Sequence, residues 1–157
     1  MHNFFVFFYV YNISMKKNQT ICFNIKSSWH GISRMYNEQG VKHGMTMSTG
    51  YILLNIEKEG TPATKIAPML GMEAHGLSRT LKNLEEQGLI KRVQDDKDKR
   101  LVKIFLTDLG MEKREIAKKV VKAFNNVVKE RIGEEKLKAF LEVVNEVNII
   151  IEKKEIF

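Results

Sequence analysis

The chain has 157 residues, 43% hydrophobic and 29% charged, enough for one domain with a modest core and within the globular range. Its 26 Lys and Arg against 19 Asp and Glu leave a formal charge of +7, which favours a polyanionic partner without naming it. The lone cysteine, Cys22, excludes an internal disulfide framework and a cysteine-cluster zinc site, and it fits a reducing cytoplasm.

Residues 1–14, MHNFFVFFYVYNIS, are out of character with the rest. The aromatic run is too short to span a bilayer, which takes roughly 20 residues. It also lacks the basic start and small-residue cleavage site of a signal peptide. The expectation is an over-extended reading frame with the natural start at Met15; the alternative is a short strand or helix packed on a dimer partner.

From Asn18 to about Gln39 the sequence reads as one long helix, with Ile21, Ile25, Trp29, Ile32 and Tyr36 forming a continuous stripe. Gly40 and Gly44 then break the chain. Thr46 is placed to cap a second helix, with Leu53, Leu54 and Ile56 inward and Gly60 at its end. Thr61 reads as the N-cap of a third helix, Pro62 as its first residue and Gly71 as its stop. Pro68 should shorten or kink that helix.

A fourth helix is expected from about Glu73 to Gln87, closed by Gly88. Leu77, Leu81 and Leu84 make its apolar stripe, while His75, Ser78, Arg79 and Lys82 share another side, all hydrogen-bond donors and none acidic. Gly76 interrupts this helix, either for a close approach to DNA or by tolerance. Next come two strand-like runs, IKRVQ and LVKIFLT, around the charged turn DDKDKR. Lys91 to Lys103 holds six basic residues against three acids. Helix, turn, helix and basic hairpin is the order of a winged helix-turn-helix, in which one helix enters the major groove and the wing follows the backbone or minor groove.

The compound pattern LEEQGLIKR (Leu84–Arg92), DKR (Asp98–Arg100) and LTDLG (Leu106–Gly110) resembles that of the MarR-type transcriptional regulators, over roughly Asn18 to Lys154. The family's Thr-x-x-Gln-aromatic signature is matched more loosely, by Thr46, Thr49 and Gly50. The resemblance implies a mainly α fold with a small β-hairpin wing. Residues 46–107 would be the winged helix-turn-helix core, and 18–40 and 108–154 dimerisation helices. After Thr107, Ile116, Val120, Phe124 and Val127 make one stripe; beyond Gly133, Leu137, Phe140, Leu141, Val144, Val147 and Ile151 make another. Neither stripe can be buried alone, so interleaved terminal helices of a homodimer are expected, with an intramolecular helical hairpin as the alternative.

The function so implied is a sequence-specific regulator of double-stranded DNA, most simply a repressor on a pseudo-palindromic operator. Ala74, His75 and Gly76 at the helix start suit phosphate; Ser78 and Arg79 suit base edges, with Lys82 on the same face. Arg100 would be the wing-tip residue, Asp98 its orienting partner, and Lys97 and Lys99 phosphate contacts. The family's ligands are often small phenolic or lipophilic molecules; Trp29, Tyr36 and Met47 are pocket candidates as well as ordinary core candidates.

One branch of the family senses organic hydroperoxides through a cysteine near the start of the first helix, and NQTICF places Cys22 there. Tyr36 lies near one of that branch's tyrosines, while Met47 and Lys26 stand where others would be. The competing reading is a mostly buried, inert Cys22. A winged-helix module for protein–protein assembly is the third reading. His30 and His43 lack the neighbours of a metal site, no cofactor is implied, and no phosphate-binding loop, zinc-protease or nucleophile-elbow motif argues for an enzyme.

Overall fold

A computed structural model of the chain describes residues 20–70, 74–95, 98 and 101–154, with positions 69, 70, 74 and 75 described by backbone alone. The expectations for 1–14, for a helix start at Asn18 and for Gly71 and Glu73 lie outside the described residues.

Thr20 is extended, and its hydroxyl accepts the Phe23 N–H at 3.3 Å, so helix α1 (Ile21–Val41) begins there. It does not stop at Gly40. That glycine lies within the last turn, and its carbonyl accepts the N–H groups of His43 and Met45, each at 2.9 Å. A Cβ on Gly40 would sit 2.6 Å from the Met45 carbonyl oxygen, so the glycine serves a close approach rather than a helix end. The break comes at Gly44, with φ +66°.

Thr46 caps α2 (Met47–Asn55), its hydroxyl accepting the Thr49 N–H at 3.1 Å. The helix ends before Gly60, which at φ +83° closes a turn from Glu57 against the Phe105 ring. Ile52, Leu53 and Ile56 are fully buried, whereas Leu54 is half-buried and lines a cleft instead.

The third helix departs from expectation at its start. Thr61 and Pro62 form a strand, β1 (Thr61–Pro62), and α3 runs Ala63–Leu70 with Pro68 inside it. The buried Thr61 hydroxyl accepts the Glu57 N–H at 2.9 Å and donates to the Asn55 carbonyl at 3.4 Å. β1 is an edge strand, where proline's missing N–H is tolerated.

Helix α4 (Ala74–Glu86) buries Leu77, Leu81 and Leu84 as its stripe requires. Gly88, at φ +69°, reverses the chain, and the Leu89 N–H returns to the Leu84 carbonyl at 3.0 Å. Strands β2 (Ile90–Gln94) and β3 (Val102–Leu106) follow, antiparallel and in register from Ile90↔Leu106 to Gln94↔Val102. With β1 paired to β3 (Thr61↔Ile104), the wing is a three-stranded sheet in the order β1-β3-β2.

Thr107 then caps α5 (Asp108–Ile132): its hydroxyl accepts the Gly110 N–H at 3.0 Å and donates to the Gly88 carbonyl. Gly110 packs on the wing base so closely that a Cβ would lie 2.0 Å from the Leu89 carbonyl oxygen. Gly133, at φ +85°, joins α5 to α6 (Glu134–Lys153).

The core draws on Met45, Ile52, Leu53, Ile56, Ile66, Leu77, Leu81, Leu84, Leu89, Ile90 and Ile104. Helices α1 and α6 contain no buried residue. Ile21, Ile25, Phe140, Leu141 and Ile151 are each about half exposed or more. No helix among the described residues is long and apolar enough to cross a membrane.

Candidate nucleic-acid interface

Burying the leucines of α4 fixes which way the rest of that helix faces. Ser78 and Arg79, and Lys82 one turn further on, are exposed on the side away from the core. Lys82 reaches Glu86 at 3.8 Å, an exposed pair one turn along the helix and worth little in water. Gly76 is half-buried, and its carbonyl accepts the Thr80 hydroxyl at 3.1 Å, a local bond that meets no outside group. The backbone of Ala74 and His75 belongs to the first turn of α4; their side chains lie outside the described residues.

An open polar groove of about 890 Å³ runs between α4 and the first turn of α2, edged by Arg79, Lys82 and Asn83 on one side and Thr46 and Ser48 on the other. The sequence reading confined this face to α4 and the wing. Thr46 is legible as a helix cap, but only the packing of α2 beside α4 puts it and Ser48 on the same face as Arg79.

In the wing, Lys97, Lys99 and Arg100 lie outside the described residues. Asp98 is described: its N–H donates to Asp95 Oδ1 at 3.3 Å, and its carbonyl accepts the Leu101 N–H at 2.8 Å. The basic strands are less uniformly cationic than their sequence suggests. Arg92 is ion-paired with Glu85 at 3.1 Å and Lys103 with Asp95 at 3.0 Å. Lys91 lies 6.0 Å from the centre of the Phe105 ring.

Away from this face, α1, α2 and α5 enclose a small apolar cleft of about 60 Å³, lined among others by Tyr36, Met47, Tyr51, Leu54, Ile116 and Val120. Two of the three pocket candidates, Tyr36 and Met47, are thereby brought together. Trp29 is not among the lining residues; it stands 52% exposed further back on α1. Tyr36 meets Phe124 edge-on at 5.7 Å, and burial pushes its hydroxyl above the usual tyrosine range. Asn37 Oδ1 accepts the Met47 N–H at 2.8 Å, and Lys113 Nζ donates to the His43 carbonyl at 2.6 Å. Both bonds tie the terminal helices to the corner before α2. Cys22, in the first turn of α1, is exposed in the single chain. No group of three His, Cys, Asp or Glu among the described residues is placed to hold a metal.

A short helix, a second helix with an outward cationic face and a sheet-borne wing define a winged helix-turn-helix. Residues 43–101 match the model of the MarR family. A helix-turn-helix transcriptional regulator, TtmR, of Methylorubrum extorquens is 34% identical over 91 residues, 57% of this chain and 47% of that protein. An organic hydroperoxide resistance transcriptional regulator of Bacillus subtilis is 31% identical over 97 residues, 61% of this chain and 66% of that protein. The chain thus spans about half of the first relative's length and just under two thirds of the second's. The S. aureus MepR–DNA complex superimposes with a TM-score of 0.77 at 20% identity, over 84% of this chain and 98% of that one. That likeness extends the shared fold from the matched domain to the terminal helices.

Proposed function

We propose that the chain is a sequence-specific double-stranded DNA-binding transcriptional regulator, a ligand-responsive homodimeric repressor working in the cytoplasm. The observation that carries this reading is α4 itself. Three leucines bury one side, and Ser78 and Arg79, with Lys82 one helical turn further on, occupy another. Such a helix fits a major groove, where an arginine fork pairs with guanine O6 and N7. The MepR relative of this fold was solved with DNA, which supports the same use here.

In this reading Ser78 and Arg79 read base edges, and Lys82 meets the backbone. Ala74, His75 and Gly76 bring the start of α4 to a phosphate. Lys97 and Lys99 contact phosphates, and Arg100 enters the minor groove with Asp98 orienting it. Residues 46–107 are the DNA-binding core, and 18–40 with 108–154 the dimerisation helices. Two copies of α4 related by a two-fold then meet half-sites about 34 Å apart. An apolar or phenolic ligand in the Tyr36–Met47 cleft regulates binding only if it favours one spacing of the two α4 helices over another.

Selection from a random-sequence DNA pool tests the reading. Enrichment of an inverted repeat with half-sites one helical turn apart is the expected result. A pool that stays random at low salt contradicts it.

A second reading, peroxide response through Cys22 on the same scaffold, is favoured by the exposure of that thiol and by the name of the Bacillus relative. Under it, peroxide releases DNA from the wild type and not from Cys22→Ser. Equal responses from the two would remove it.

A further inference from the structure

Acidic residues on a surface meant for a polyanion call for a physical reason, and two of them stand at the wing. Glu85 lies in the last turn of α4. Its Oε1 accepts the backbone N–H of Arg92 at 3.2 Å, and its Oε2 holds the Arg92 guanidinium Nε at 3.1 Å. One carboxylate therefore grips both the main chain and the side chain of a single β2 residue. β2 is the exposed edge of the sheet, so this N–H faces away from the β3 ladder. Asp95 makes the matching arrangement at the far end of the strand, with Oδ1 on the Asp98 N–H at 3.3 Å and Oδ2 on Lys103 Nζ at 3.0 Å.

Resting on the DNA-binding reading, we propose that Glu85 is a positioning residue that sets the angle of the wing against α4, with Asp95 doing the same for the wing tip. The chain between α4 and β2 is only the turn from Gln87 to Leu89, pivoting on Gly88. Glu85 closes a second link across that pivot, seven residues along the chain. Wing and α4 must meet one duplex together, so their mutual angle decides whether both sets of contacts form at once. The sign of the effect separates this role from simple charge. Removing an acid from a DNA-facing surface raises affinity for every sequence by lessening repulsion from the phosphates. Removing a positioning acid lowers affinity for the correct sequence despite the gain in positive charge.

The test titrates wild type, Glu85→Ala, Glu85→Gln and Asp95→Asn by fluorescence anisotropy onto two duplexes across a potassium chloride series. One duplex is enriched by the wild type from a random pool, and the other is its scramble. Glu85→Ala is expected to bind the enriched duplex about tenfold more weakly, the worth of roughly one good base contact, while binding the scramble at least as well as wild type does. Glu85→Gln keeps an acceptor for the Arg92 N–H and should fall between the two. It also decides the matter if the alanine variant does not fold. Asp95→Asn should lose discrimination in the same sense. Unchanged or stronger binding of the enriched duplex by the Glu85 variants would overturn the proposal, and so would equal weakening on both duplexes. A wild type that enriches no sequence defeats the DNA-binding reading instead, a result visible before any variant is made.

Discussion

Arg79 and Gly110 show how differently single residues carry the account. Arg79 is exposed and serves no fold role that its neighbours do not share. Arg79→Ala should leave the melting temperature within a degree or so. It should cost ~1–3 kcal/mol of binding to the preferred site and relax discrimination at one base pair. Uniform weakening on all sequences would move Arg79 from base reading to phosphate contact. Lys97→Ala should give that uniform loss, with the salt slope reduced by about one. Gly110 does the opposite. Any side chain there drives into the Leu89 carbonyl, so Gly110→Ala should destabilise the fold by at least ~2 kcal/mol in a denaturant titration. Helical spacing puts Arg79 on the side of α4 away from its leucines, where it is exposed, and the LTDLG motif puts Gly110 at the start of α5. The sequence could not give the reason for the glycine, which is a contact across twenty-one positions of chain. Tyr36 adds a pH test. Its hydroxyl titrates above the usual tyrosine range in the folded chain, so the stability it contributes is present below about pH 10 and lost as pH rises through the raised value. Tyr36→Phe should therefore flatten the alkaline limb of the stability curve.

Among elements, those with a strong period were legible and those without were not. α4 announced itself through Leu77, Leu81 and Leu84, and α5 through Thr107 and its stripe. β1 has only two residues and no period to read. Thr61-Pro62 also satisfies the rules for a helix start, and what decides against it is pairing with Ile104 and Lys103, some forty positions away. Gly40 and Gly60 misled in a related way, since each is required by a close approach and not by a helix end. The groove between α2 and α4 was invisible for the same reason, being a product of packing alone. Leu84 anchors the C-terminal end of α4 in the core at 1% exposure. Leu84→Ala should cost ~2–5 kcal/mol in urea unfolding. Because α4 and the wing base share that core, DNA affinity should fall with it.

At the scale of the whole molecule, the unpartnered faces of α1 and α6 are the main fact. Phe140 and Leu141 are each more than half exposed, and α6 buries nothing within its own chain. A second copy is the simplest cover, and it would also place two α4 helices on one duplex. Replacing both residues with Asp should yield a monomer by sedimentation that melts with an intact wing core but binds an inverted repeat with the affinity of a single half-site. A double variant that remains dimeric would put the interface elsewhere. The central claim, that this chain reads a DNA sequence, is tested most directly by fluorescence anisotropy on the duplex upstream of its own gene and on a scramble of equal length, over a salt series at fixed pH. Tight binding to the first and weak, steeply salt-dependent binding to the second is the predicted result. Equal affinity for both at every salt concentration would contradict it.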